Sequence, residues 1–475
     1  MHLYLQKHRA ETCNAPRPHA RADIADGANG KKPDTLGKHL SMEKLLQYIW
    51  KHKIFPLQQL RTTTGEAVEV VDPGLQNNND GPDFFNAKII VDGMLWAGNV
   101  EIHVKSSDWY VHRHDKDSRY NNVVMHVAAV TDTEVVAEDG RTLRQMQMEV
   151  PEHMQRNYQR LLSDDRYPPC RKAVESLPKF TIHSWLSALC IERLQHKALA
   201  IEQRVRECDG SWETAFFNTM ARCFGFGINS EGFELLAQSL PLMQVGRHRD
   251  DPFQVEALFM GQAGLLDTDA MNDKQRTLAL ADDYFVRMRD EYRFLAHKYA
   301  LRHIGRSSWK FMRVRPQNLP YMRLAQLAQL YCSRKAELAS LTQCNSLGEL
   351  RKRLDVGVSD YWRQHYVFGQ PTASRSDKHI SKASVDILVS NAVVPMLHAY
   401  GRHRSDARMM QKAIDMLEEM KAEDNNIVRM WAECGVEAKS AADSQAVMQL
   451  HRNYCERKDC LRCRFGYYSL KRVDD

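Results

Sequence analysis

Acids and imidazoles gather between residues 77 and 126 of this chain. Asp83 ends the tract NNNDGPD, Glu101 and His103 stand two apart in NVEIHVK, and His112, His114 and His126 follow. Residues two apart on a strand share a face, so Glu101 and His103 would project together, with Lys105 next in the same row. Asp83, at the beginning of the preceding strand, would bring a second carboxylate to the same sheet end. Paired carboxylates suit hard divalent cations such as Mg²⁺ or Mn²⁺. An ion held there could orient a phosphodiester and activate water, while Lys105 or a protonated His103 contacts the scissile phosphate. The plain alternative is a hairpin whose solvent face carries Glu101 and His103, with Asp83 closing a Gly-Pro-Asp turn.

The run His112-Arg113-His114-Asp115 adds two imidazoles and an acid that could bind metal or contact phosphate, or could simply be a solvated loop. Trp109, Asp117 and Tyr120 lie close by in the chain. His126 interrupts the apolar tract VVMHVAAV, so it is expected either in the core or facing the site. A zinc hydrolase built on His112, His114 and His126 is a further reading of the same residues.

These residues resemble the PD-(D/E)XK nuclease superfamily. Pro82-Asp83 matches the PD element, and Glu101-Ile102-His103 matches (D/E)XK except at its third residue, where the superfamily usually has Lys. The resemblance implies a restriction-endonuclease-like small mixed sheet, Asp83 and Glu101 as metal ligands, and Glu43 on a preceding helix as an additional acid. Lys105 could reach back to the position that His103 occupies; otherwise His103 does that work or the site is inactive. The longer pattern from NNNDGPDFFNAKI to NNVVMHV, with ALFMGQAGLL, WKFMRVRPQNLPYMRLAQLA, NAVVPMLHAYG and CERKDCLRC beyond it, also resembles a large bacterial family of unknown function, collinear from about Met42 to the C-terminus.

Cys455, Cys460 and Cys463 form C-x4-C-x2-C, three thiols able to close on one metal with a fourth ligand from elsewhere. Cys170 in RYPPCRKAV is the expected fourth ligand, and His451 is the local competitor. Zinc and an iron–sulfur cluster are both open. Some PD-(D/E)XK nucleases hold an iron–sulfur cluster with four cysteines in a similar outline, with different spacings.

The elements that must position these groups follow from periodicity. MEKLLQYIWKHKIF reads as a helix from Met42, with Leu45, Ile49 and Trp50 near one face. About six strands are expected between Glu66 and Val150. Asp92-Gly93 marks a hairpin, Asp139-Gly140 a second, and WYVHRHDKDSRYNN a loop with a helical turn. The texture changes beyond Pro151, and helical periodicity dominates from about Leu186 to Leu450. The expected architecture is a disordered extension over residues 1–41, an α/β domain over 42–155, and a large all-α domain over 156–475. At 475 residues, 43% hydrophobic and 27% charged, the chain is globular and long enough for two or three domains. A net charge of +6 permits a nucleic-acid partner without requiring one. No apolar run suits a membrane span or a signal core, so a cytosolic protein with reduced cysteines is expected.

In the helical region, RHIGRSSWKFMRVRPQNLPYMRLAQLAQLY interleaves Arg313, Arg315 and Arg323 with Trp309, Phe311 and Tyr321. Arginines on phosphates and aromatics on bases would make a nucleic-acid track. An interhelical loop fixed by its prolines is the other reading. No phosphate-binding Gly-rich loop and no Gly-x-Ser-x-Gly elbow occurs, and Cys190 and Cys223 sit in amphipathic tracts as core thiols. The leading expectation is a metal-dependent nuclease or DNA-processing protein, with DNA ahead of RNA as partner. A nucleic-acid-binding or scaffold protein that keeps the fold without catalysis is the alternative.

Overall fold

The computed structural model describes residues 35–55, 59–77, 79–164 and 168–473. The chain divides into two compact units, Met1–Val150 and Pro151–Asp475. Most of the expected N-terminal extension lies outside the described residues. Its last part does not: helix α1 runs Thr35–Lys51, beginning seven residues before the expected Met42. Leu45, Leu46, Ile49 and Trp50 are buried on it, and the Trp50 indole N–H donates to the Pro73 carbonyl at 3.0 Å.

The first unit is built on one mixed sheet of seven strands: β1 (Leu60–Arg61), β2 (Ala67–Asp72), β3 (Leu75–Gln76), β4 (Phe84–Val91), β5 (Met94–Lys105), β6 (Val123–Val130) and β7 (Gln145–Gln147). The order is β1-β2-β4-β5-β6-β7, with β3 paired to β4. The strands up to β5 pair antiparallel, whereas β5–β6 and β6–β7 are parallel. A parallel partner requires a crossover, here supplied by residues 106–122 with α2 (Asp108–Val111) and two short helical turns.

The Asp92-Gly93 hairpin forms as expected, with Val91 opposite Met94. Both turn residues are left-handed, at φ 45° and 82°, which is the requirement of a two-residue turn matched to strand twist. A Cβ on Gly93 would meet nothing within 4 Å, so the cost of Gly93→Ala is conformational alone. It is expected at about 1–2 kcal/mol, measured as a lowered urea midpoint at constant m.

The second expected hairpin is reduced to one bridge, Val136 to Thr142. Its second arm continues as β7 and pairs parallel to β6, because the buried Gln145 and Met146 extend the sheet instead of folding back.

The second unit is helical from α3 (Glu152–Ser163) through α4 (Arg171–Val174) and the long α5 (Lys179–Glu207) to a last helix at Arg464–Lys471. The change of texture expected beyond Pro151 coincides with the division after Val150, five residues before the expected domain boundary at 155. Trp362, Trp431, Phe216, Phe217 and Phe259 are fully buried in its core. Among the described residues, no helix is long and apolar enough to cross a membrane.

Candidate metal site

Strand β5 alternates as its sequence requires. Val100 and Ile102 are buried on one face, and Glu101 and His103 stand on the other. In the parallel register Glu101 lies opposite His126, so β6 brings its imidazole to the same face. The crossover folds His112 and His114 over that face: His114 is buried, while His112 is exposed.

Asp83 and Glu101 hold each other through the backbone. The Asp83 N–H donates to Glu101 Oε2 at 2.9 Å, and the Ile102 N–H donates to Asp83 Oδ2 at 3.0 Å. The other Asp83 oxygen accepts from Gln47 on α1 at 2.8 Å. That leaves Glu101 Oε1 for the imidazoles: His114 Nε2 is 3.3 Å away and His103 Nε2 3.5 Å away. His112 Nδ1 lies 3.2 Å from the same His103 Nε2. Among the described residues, His103, His112 and His114 form the group of three or more ligand atoms that all lie within 4.8 Å of one another.

Those spacings can be compared with what an ion demands. Bonds of about 2.0–2.1 Å in a tetrahedron place neighbouring donors about 3.3–3.4 Å apart. The observed 3.2, 3.3 and 3.5 Å bracket that value. Donor type and spacing therefore fit a divalent ion held by the three imidazoles, with Glu101 Oε1 beside His103 and His114. Nitrogen-rich sets of this kind favour Zn²⁺ or Mn²⁺ over Mg²⁺.

His126 acts through His103. Its Nε2 is 2.9 Å from His103 Nδ1, and its own Nδ1 is buried without a partner. If His103 donates from Nδ1, its Nε2 lone pair faces Glu101 and His112, which fixes the tautomer a ligand needs. His126→Ala is expected to weaken Mn²⁺ or Zn²⁺ binding roughly 10–100-fold in calorimetric titration. Unchanged affinity would remove His126 from the site.

Electrostatics match this crowding. Burial, then Glu101, pushes Asp83 up to about 8. Burial raises Glu101 to about 8 as well, with Glu43 adding to it. Glu43 is raised to about 7 by burial and by Asp83. Burial and the neighbouring imidazoles hold His103 well below its usual value, and burial takes His114 to about 4 and His126 to about 3. Neutral imidazoles beside carboxyls that resist ionisation are the state a cation would relieve.

Aromatic rings wall the cluster. Tyr120 stacks on His114 with centroids 3.8 Å apart, and Trp109 meets the edges of His114 and His126. Trp109 and Tyr120 belong to a core with Val123, Val135, Ala137 and Leu143.

The structure thus brings together Asp83, Glu101, His103, His112, His114 and His126, with Glu43 beside them. Lys105 does not join. It is exposed at the end of β5, and among the described residues no ion pair links it to these acids. The row of alternate residues points it past the covered part of the face.

Two site residues escaped the reading of the sequence: His39, whose Nε2 is 3.2 Å from Asp108, and Gln47. His39, Glu43 and Gln47 recur every four residues and so share one stripe of α1, a signal present in the sequence.

In the second unit, Arg313 and Arg315 are exposed, but Arg323 is 6% exposed. Its guanidinium bonds Gln326, Asn318 and Ser384 and stacks over Phe226. Trp309 and Tyr321 are buried too, so the expected nucleic-acid role of Arg323 is corrected to a structural one. Arg323→Ala is expected to destabilise the helical unit by about 1–3 kcal/mol. Arg313→Ala and Arg315→Ala should stay within about 0.5 kcal/mol of wild type in the same denaturation experiment.

The fold and site define an α/β unit with a carboxylate–histidine cluster, joined in one chain to a large helical unit. The chain belongs to the protein family of unknown function DUF2851, whose model matches residues 43–426. The match supports the expected collinearity as far as residue 426. No curated protein and no solved structure matches the chain.

Proposed function

We propose that the N-terminal unit is a metal-dependent hydrolase of phosphodiesters, a nuclease whose ion is held by Glu101, His103, His112 and His114. The observation that supports this reading is the gathering of His103, His112 and His114, whose ligand atoms all lie within 4.8 Å of one another, with Glu101 Oε1 3.5 Å from His103 Nε2 and 3.3 Å from His114 Nε2. A divalent ion there would supply charge to a phosphoryl oxygen and make water nucleophilic near neutral pH. The chain's own contribution is orientation. Asp83 fixes Glu101 through its N–H, His126 fixes the tautomer of His103, and Tyr120 and Trp109 keep the inner side of the cluster dry.

Topology supports the phosphodiester reading over a small-molecule zinc hydrolase. A small mixed sheet, an acid-bearing helix before it, and Asp83 and Glu101 side by side are what the PD-(D/E)XK resemblance implies. His126 stands behind His103 and not among the innermost donors, which weakens a site built on His112, His114 and His126. His103 fills the usual Lys position as a ligand, so loss of Lys need not mean loss of activity. We further propose a cytosolic location, with DNA ahead of RNA as partner.

The test is cleavage of single- and double-stranded DNA and RNA by the full chain with Mn²⁺, Zn²⁺ or Mg²⁺, beside the double variant Asp83→Ala, Glu101→Ala. Cleavage with Mn²⁺ or Zn²⁺, lost in the variant, is expected. Nucleic-acid binding without cleavage under any metal would favour the non-catalytic binding protein.

A further inference from the structure

The cysteines of the second unit form a cluster that the proposed hydrolytic site does not use. Cys170 ends the turn before α4, Cys455 closes a π-helical turn at His451–Cys455, and Cys460 and Cys463 flank a single helical turn that leads into Arg464–Lys471. These elements pack on one another within the helical unit: the last helix lies against α3, α4 and the Cys460 turn. Hydrogen bonds fasten the same contact. Lys458 Nζ donates to the Leu162 carbonyl at 2.5 Å, Asn157 Nδ2 to the carbonyls of Leu470 and Arg472 at 3.1 and 2.7 Å, and Arg472 to the Lys172 carbonyl at 2.8 Å. Residues about three hundred positions apart are thereby clipped together around four thiols.

Burial holds all four of these sulfurs toward the thiol form. Burial raises the Cys463 thiol, and the backbone N–H groups of Gly466 and Phe465 and the Trp185 indole N–H, all directed at its sulfur, act in the opposite direction. Gly466 is needed for this approach, since a Cβ there would lie 2.0 Å from the Cys460 carbonyl oxygen. Cys170 and Cys463 are buried, and burial followed by the neighbouring thiols raises Cys170 and Cys455. Bare thiols gathered in this way gain little; thiolates bound to a metal centre would satisfy the donors aimed at them. Cys434 also lies near Cys170, but its Sγ donates to the Met430 carbonyl at 3.3 Å.

Sulfur spacing separates the two kinds of centre. One zinc ion with bonds of about 2.3 Å draws its four sulfurs to about 3.8 Å from one another. Among the described residues, no three of these sulfurs lie within 4.8 Å of one another. A wider cage is what a cluster with several irons between its thiolates needs.

We propose that Cys170, Cys455, Cys460 and Cys463 ligate one iron–sulfur cluster that clasps the C-terminal segment to α3 and α4. The proposal is independent of the hydrolytic reading. It is tested on the full chain purified without oxygen, by visible absorption and by iron and acid-labile sulfide content. Brown protein with about four irons and four sulfides per chain is expected. Each of Cys170→Ser, Cys455→Ser, Cys460→Ser and Cys463→Ser should lose the colour, whereas Cys434→Ser and Cys190→Ser keep it. Colourless wild-type protein without iron or sulfide overturns the proposal. So does zinc in place of iron that disappears in Cys463→Ser, which would make the clasp a zinc site. Wild-type content decides the question even if the serine variants fail to fold.

Discussion

Glu101→Gln should abolish metal loading of the N-terminal unit and, with it, phosphodiester cleavage. The carboxylate is the one anionic donor among three neutral imidazoles, with Oε1 within 3.5 Å of His103 and His114. An amide keeps the shape and the hydrogen bond from the Asp83 N–H but removes the charge that attracts the ion. Disturbing a residue that only orients a ligand costs roughly 10–100-fold in affinity, so removing the charged ligand itself should cost more than about 100-fold. The matching physical readout is thermal. An ion at a hundred times its Kd stabilises the wild type by about 2.7 kcal/mol, which should raise the melting temperature of a unit of this size by several degrees. Glu101→Gln should melt at the same temperature with and without the ion. A variant that still gains the full shift would show that the ion binds elsewhere.

Trp109→Ala should be the most destabilising single change in the first unit. The indole is fully buried between the crossover and the sheet, and its N–H donates to the Val136 carbonyl at 3.0 Å. Truncation leaves a large cavity and an unpaired carbonyl, costing about 3–5 kcal/mol. That is a large share of the stability of a domain of this size. Because Trp109 also meets the edges of His114 and His126, the loss should reach the site. Metal affinity should fall even where the variant remains folded. Denaturant titration of the first unit, followed by metal titration well below the midpoint, separates the two effects. A cost below about 1 kcal/mol would mean that the crossover is not anchored by this ring.

Much of this organisation was legible in the sequence, for identifiable reasons. The Asp92-Gly93 turn demands left-handed backbone, so its hairpin could hardly form otherwise. The period of two in NVEIHVK placed Glu101 and His103 on one face, and His126, inside an apolar strand, was expected in the core or facing the site and does both. Local rules failed where long-range pairing decided. Asp139-Gly140 promised a hairpin, yet Gln145–Gln147 found a parallel partner in β6, which no turn signal reveals.

The site shows the same division. Spacing identified Asp83 and Glu101 but not their division of labour, because the reciprocal N–H to carboxylate bonds depend on the offset between β4 and β5. It also overvalued Lys105, whose alternation was right but whose position lies beyond the cover of the crossover. Arg323 read as a phosphate contact because charge suggests the surface; three hydrogen bonds and the Phe226 ring hold it inside.

The most direct measurement is anomalous diffraction from crystals of the full chain grown with Mn²⁺ or Zn²⁺, with the peak positions set against the side chains. The account predicts a peak in the first unit bonded to Glu101 Oε1, His103, His112 and His114, absent from Glu101→Gln crystals. Ion-loaded crystals with no peak among these four residues, or with the imidazoles turned away from Glu101, would contradict it.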